Sequence, residues 1–233
     1  MTDASARRAV ADTVRWLMAR GLYAGTSGNV SVRTDGGMLI TPSAVRCEDV
    51  DAAALVHVAA DGAPHGRLAP STEWRIHRDI YRRRSDVGAV VHTHSTAATA
   101  LSCLRRPIPA FHYMVAKAGG GDIRCARYAT YGTAALSRNA LAALAGGRRA
   151  CLLANHGLVA LGADLGAARA LAEEIEALCA QYIQARAAGR PVTLPAGEMR
   201  RVRAKFATYA PSRLSSRPEK RSTKGRSVLH REE

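Results

Sequence analysis

The sequence predicts a mixed α/β fold, and three observations point to it. Segments near each end repeat apolar residues at helical spacing: Val10, Val14, Leu17 and Met18 near the start, Leu171, Ile175, Leu178 and Tyr182 near the end. Between them lie short runs of strand character. Asn29–Arg33 alternates apolar and polar residues, and Gly88–His94 is built round Val90 and Val91. Clusters of Gly, Pro, Asn and Asp separate these runs.

The 233 residues suffice for a full core, and one domain spanning 1–209 is expected. Residues 210–233 carry seven Lys/Arg and three Glu among Ser and Pro, and are expected to form a disordered basic tail. That tail holds +4 of the net +15. The remaining positive charge is spread along the chain, mostly as arginine, with no basic run interleaved with aromatics. A nucleic-acid partner is therefore not expected, whereas an anionic substrate such as a sugar phosphate suits the field. The five cysteines are scattered without a Cys-x-x-Cys pair, which argues for reduced thiols in the cytoplasm and against a disulfide framework or zinc ribbon. No apolar run approaches the ~20 residues of a membrane span, and Met1–Arg8 leads into no signal-type apolar core, so no membrane partner is expected.

The elements follow in order. Residues 5–20 read as an amphipathic helix ended by Gly21. The Gly25-Thr26-Ser27-Gly28-Asn29 loop leads into an alternating strand and a turn at Asp35-Gly36-Gly37. Such a loop can aim N–H and hydroxyl groups at an oxyanion, or it can be a plain turn before a hairpin. Met38–Thr41 and Leu55–Ala60 read as strands. Ser71 and Thr72 are candidate N-caps for a helix reaching Arg84, on which Glu73, Ile76 and Ile80 share a face. That turns Glu73 inward, where a carboxylate must be paired, protonated or bound to a cation. Gly88–His94 is a buried strand, Ser95–Leu104 a small-residue helix and Thr133–Ala145 another helix. Cys151–Leu161 is a strand pair broken by a tight turn at Asn155-His156-Gly157. Asp164 caps the longest helix, to about Ala187, on which Glu173, Glu174 and Glu176 read as a solvated acidic patch. Residues 197–208 form a short last helix.

The chemistry gathers at residues 70–94. His92 and His94 sit two apart at the end of an apolar strand, so both imidazoles leave the same face. With Glu73 just upstream they make a plausible metal set, and His156 is the best further candidate. His77 is a rival ligand, or a histidine satisfied by its neighbours.

These residues carry a resemblance. Gly-Thr-Ser-Gly-Asn-Val-Ser at 25–31, Thr-Pro-Ser at 41–43, Pro-Ser-Thr-Glu-Trp-Arg at 70–75, Val-Val-His-Thr-His at 90–94, Ile-Pro-Ala-Phe-His-Tyr-Met at 108–114, Tyr-Ala-Thr-Tyr-Gly-Thr at 128–133 and Asn-His-Gly-Leu-Val-Ala at 155–160 resemble the class II aldolase/adducin family. The match is best with its L-fuculose-phosphate aldolase branch and covers roughly residues 5–209. The resemblance implies a three-layer α/β/α sandwich with a largely antiparallel central sheet, in a homotetramer with interfacial active sites. It implies one Zn²⁺ per subunit on Glu73, His92, His94 and His156. It puts substrate phosphate at Thr26, Ser27, Gly28, Asn29, Thr41, Ser43, Ser71 and Thr72, and catalytic roles on Glu73, Tyr113 and Tyr209. Burial is expected to keep Glu73 basic. The implied reaction is cleavage of a ketose 1-phosphate of the L-fuculose type between C3 and C4, to dihydroxyacetone phosphate and a short aldehyde such as L-lactaldehyde. A sister activity on 5-deoxyribulose or 5-methylthioribulose 1-phosphate shares every one of these residues. The pentulose-phosphate 4-epimerase branch resembles the pattern less, since it has Asp where this chain has Glu73.

Overall fold

Strand β5 (Ala89–Thr93) is buried along its whole length, and its side chains alternate between two cores. Ala89 and Val91 join one core and Val90 the other. A strand that is apolar on both faces requires cover on both faces, and the chain supplies it. A computed structural model describes residues 2–208; Met1, Tyr209 and the basic tail lie outside the described residues. Eight strands form one sheet in the order β4-β3-β2-β1-β5-β8-β7-β6. The remaining strands are β1 (Asn29–Thr34), β2 (Gly37–Ile40), β3 (Val56–Ala59), β4 (Pro64–His65), β6 (Arg124–Ala126), β7 (Ala150–Leu153) and β8 (Gly157–Gly162). Every pairing is antiparallel except β6 with β7, which is parallel. Helices α1 (Asp3–Ala19), α3 (Thr96–Ser102) and α5 (Leu165–Ala188) cover one face, and α2 (Trp74–Arg83) and α4 (Ala134–Ala143) the other. The expected three layers and largely antiparallel sheet are therefore present. Helix α6 (Ala196–Thr208) packs on a short 3-10 helix, Tyr113–Ala118, at the α5 side.

Local chemistry explains the main boundaries. Thr2, Thr133 and Asp164 cap α1, α4 and α5 by accepting backbone N–H groups of the first turn. The β1–β2 hairpin turns at Asp35-Gly36, with Thr34 facing Gly37. The short strands β4 and β6 carry too little pattern to be read from sequence, and they are recruited by their neighbours. Helix α2 begins after both expected caps, Ser71 and Thr72. Glu73 holds the N-cap position without a capping side-chain bond, while Ser71 Oγ accepts the Glu73 N–H at 3.4 Å. The acidic patch on α5 also needs correction. Glu173 pairs with Arg20 and Glu174 with Lys117, but Glu176 turns inward to the start of α3. Among the described residues no helix is long and apolar enough to cross a membrane.

Candidate metal centre

Glu73, His92, His94 and His156 come together, with one ligand atom of each within 4.8 Å of the others. Three elements place them. Strand β5 supplies His92 and, one residue past its end, His94. The start of α2 supplies Glu73, and the β7–β8 turn supplies His156. Asn155 makes that turn with φ 51°, a left-handed conformation that Asn tolerates well. Gly157 follows because a Cβ there would lie 2.4 Å from the Thr93 carbonyl oxygen. On the other side Gly28 (φ 104°) lets the loop pass β5, where a Cβ would meet the His92 carbonyl oxygen at 2.7 Å.

The three imidazoles stand edge to face around one point, with centroids 4.8–4.9 Å apart. His92 Nε2 is 3.0 Å from His94 Nε2 and 3.1 Å from Glu73 Oε2. His156 Nε2 lies 3.2 Å from Glu73 Oε1. His92 uses Nδ1–H to donate to the Leu158 carbonyl at 2.9 Å, which leaves Nε2 facing the cluster. This is the arrangement by which metal-ligating histidines are oriented.

Glu73 supplies the decisive test of fit. It is 6% exposed, and its Oε1 is buried with no donor in hydrogen-bond geometry. An unsatisfied buried carboxylate oxygen is costly, and a cation among three Nε2 atoms removes that cost. The donor set fits a divalent metal of intermediate softness. Burial alone would raise the Glu73 pKa, yet the charge and hydrogen bond of His92 outweigh it and hold the carboxyl well below its usual range. The expectation that burial dominates is thus reversed. His92 is pushed the other way: burial opposes its charge, but Glu73 raises it. His94 falls to about 3 and His156 to about 4, through burial first and then repulsion from His92. Neutral imidazole is the form that binds metal.

The phosphate candidates stand on segments that are tied to one another, and Asn29 among them touches the cluster. Ser43 N–H bonds the Ala69 carbonyl and Ser71 N–H bonds the Thr41 carbonyl, which ties segment 41–43 to 69–71 beside the 25–29 loop. Thr26, Ser27 and Thr72 are exposed, and Gly28 and Ser43 are half-buried. Asn29, Thr41 and Ser71 are buried. Thr41 Oγ1 accepts the Val30 N–H, so that hydroxyl also builds the loop. The Asn29 amide points to the cluster and donates to Glu73 Oε2 at 3.0 Å. Tyr113 is 47% exposed, with its ring beside Phe206 and His112, and within the described residues of its own chain it makes no hydrogen bond to the cluster.

His77 is not a ligand. It is fully buried and bonded to Asn29 and Ser31. Sequence reasoning missed Ser31 and Tyr81, which continue that chain, and Glu176, which accepts Ser95 Oγ–H and the Ala97 and Ala98 N–H groups directly after His94. The available signal was the polar side of Asn29-Val30-Ser31-Val32-Arg33, matched by His77 and Tyr81 one helical turn apart.

Residues 8–183 match the model of the class II aldolase and adducin N-terminal domain. This chain belongs to the class II aldolase/adducin family. It is 53% identical over 203 residues to a 5-methylthioribulose-1-phosphate/5-deoxyribulose-1-phosphate aldolase of Rhodospirillum rubrum, covering 87% of this chain and 91% of that protein. Over 203 residues it is 45% identical to an L-fuculose phosphate aldolase of Escherichia coli O6:H1, covering 87% of this chain and 94% of that protein. Among solved structures an L-fuculose 1-phosphate aldolase superposes with a TM-score of 0.85 at 40% identity, covering 89% of this chain and 98% of that one. Class II aldolases depend on a metal, and the Glu73/His92/His94/His156 cluster is where this member of the family could hold one.

Proposed function

We propose that the chain is a zinc-dependent aldolase that cleaves a ketose 1-phosphate between C3 and C4, yielding dihydroxyacetone phosphate and a short aldehyde. The observation that carries this reading is the buried Glu73 Oε1 without a donor, facing three imidazole nitrogens. Three nitrogens and one carboxylate are a common zinc donor set. A zinc ion held by Glu73, His92, His94 and His156 would supply Lewis acidity for the negative charge that develops on the ketose when the bond breaks.

The chain's own residues do the rest. Glu73 carries the proton to and from C3. The Asn29 amide steadies one of its oxygens. The 25–29 loop, Thr41-Pro42-Ser43 and Ser71-Thr72 present hydroxyl and N–H groups to the substrate phosphate. Tyr113 exchanges a proton with the C4 oxygen. Its exposure and its distance from hydrogen-bonding reach of its own cluster suit delivery from a neighbouring subunit of a homotetramer. Tyr209 closes the neighbouring site; chains ending at Thr208 and at Pro211 should then differ in rate. Five cysteines free of disulfides among the described residues suit a cytoplasmic setting.

Identity favours a 5-deoxypentulose 1-phosphate, such as 5-methylthioribulose or 5-deoxyribulose 1-phosphate, as the substrate. L-Fuculose 1-phosphate, giving L-lactaldehyde, is the second reading. Glu73 in place of Asp disfavours the epimerase alternative. Steady-state kinetics on a panel of ketose 1-phosphates, reading released dihydroxyacetone phosphate, tests this. A higher kcat/KM for the 5-deoxypentulose phosphates is expected. No cleavage of any member by metal-loaded protein would sink the aldolase reading.

A further inference from the structure

A buried chain of hydrogen bonds runs away from Glu73 between β1 and α2. Asn29 Nδ2 is 3.0 Å from Glu73 Oε2, and Asn29 Oδ1 is 2.5 Å from His77 Nε2. His77 Nδ1 is 2.6 Å from Ser31 Oγ, and Ser31 Oγ is 2.7 Å from the Tyr81 hydroxyl. Asn29, Ser31, His77, Glu73 and Tyr81 are all buried. The polarity of the chain can be worked out from one end. An ionised Glu73 only accepts, so Asn29 must present its NH₂ and keep its oxygen for His77. His77 must then donate from Nε2–H. A neutral ring so protonated accepts at Nδ1, and Ser31 is its donor. The Ser31 hydroxyl proton is then spent, and Tyr81 donates to Ser31. Every proton in the chain points towards the carboxylate.

An asparagine has two amide orientations, and only one suits Glu73. Flipping it would set the Asn29 oxygen against the carboxylate. We propose that His77 is a positioning residue: its Nε2–H, bonded to Asn29 Oδ1, holds the amide in the orientation that donates to Glu73, and so keeps the carboxylate in register with the three imidazoles. Ser31 supplies the donor that the His77 Nδ1 needs and holds the ring in place, and Tyr81 anchors Ser31. Arg33 locks the far end, with its guanidinium 4.8 Å from the Tyr81 ring and bonded to the Val87, Tyr81 and Arg84 carbonyls. The inference rests on Glu73 acting at the reacting centre, as proposed above.

Two measurements test it. Long-range ¹H–¹⁵N NMR of the metal-free, full-length protein at neutral pH should show His77 as the neutral Nε2–H tautomer. An Nδ1–H tautomer or a charged ring overturns the assignment. Glutamine at 77 can still donate to Asn29 Oδ1, whereas leucine cannot. On zinc-loaded enzyme His77→Leu should lower kcat by about tenfold or more with little change in KM, and His77→Gln should stay within about threefold of the parent. Equal loss in two folded variants, or a change confined to KM, overturns the positioning role. Should His77→Leu fail to fold, Ser31→Ala serves instead. It removes the donor that holds the ring at Nδ1, so kcat should fall with little change in KM while His77 keeps its Nε2–H, and an unchanged kcat overturns the proposal. The NMR arm needs no substrate. Inactivity of the parent chain on every ketose phosphate therefore overturns the aldolase reading, whereas a wrong tautomer overturns this one.

Discussion

Two glutamates flank the end of β5, and they are treated in opposite ways. Glu176 comes from α5 on one face of the sheet, and both of its oxygens are satisfied. Oε1 accepts the Ala97 N–H at 2.7 Å, and Oε2 accepts Ser95 Oγ–H at 2.7 Å and the Ala98 N–H at 2.8 Å. It caps the open end of α3 and pins the segment that follows His94. Glu73 comes from α2 on the other face. One oxygen has the Asn29 amide and His92, and the other has no donor. The same side chain, at two sites joined by a few residues of backbone, is saturated where it holds structure and left incomplete where a cation could be held. Satisfaction of hydrogen bonds, more than burial, separates the two roles.

The comparison can be broken most severely at the imidazoles. His92→Ala or His94→Ala should remove bound metal and with it all measurable cleavage, read by elemental analysis and kinetics on the same preparations. Full metal content in either variant would refute the ligand set. Glu73→Gln comes next. It retains an oxygen but cannot accept a proton, so cleavage should fall by at least ~10²-fold with metal largely kept. Solvent exchange of the dihydroxyacetone phosphate C3 proton should fall in parallel.

Glu176→Gln should do the reverse. Whichever way the amide turns, an NH₂ meets a backbone N–H of α3, and the melting temperature should drop by an amount equivalent to about 1–3 kcal/mol. Activity at low temperature should change less than for Glu73→Gln. If Glu176→Gln were as stable as the parent while cleavage collapsed, the division of labour would be wrong.

The smallest effect concerns acid. His77 is fully buried and its pKa is pushed down to about 3, by burial first and then by the charge of His92, with Glu73 opposing. Its hydrogen-bond partners, Asn29 and Ser31, are uncharged. The unfolded chain takes up this proton below about 6.5, whereas the folded chain refuses it until about 3. Between these values the unfolded state binds more protons, so stability falls as pH falls. At pH 5 the loss from this residue is about 2 kcal/mol. His94 and His156 add to it with the same sign in metal-free protein. Denaturant unfolding of metal-free His77→Gln should show a shallower acid limb than the parent. An identical limb would mean that His77 titrates normally in the fold.

The sequence by itself picked out Glu73, His92, His94 and His156, which the fold brings together where a metal could be held. His92 and His94 are two apart on a strand, and period two sends both to one face whatever lies around them. Glu73 heads a helix whose apolar positions, Ile76 and Ile80, turn it inward. The motifs spread along the chain were specific enough for the family, and with it the layered fold. The polar side of β1 was a different matter. Alternation in Asn29–Arg33 says that Ser31 and Arg33 share a face with Asn29, but a polar face can meet water or another element, and local pattern does not distinguish them. Only the packing of α2 across that face made Ser31 a partner of His77 and placed Asn29 between His77 and Glu73. Glu176 was illegible for the same reason. Glu173 and Glu174 beside it pair with Arg20 and Lys117 nearer the surface, and its own partners lie some eighty residues earlier in the chain. Periodicity is a property of one segment and can be read along it. The satisfaction of a polar group depends on two segments at once, so it is decided only when they meet.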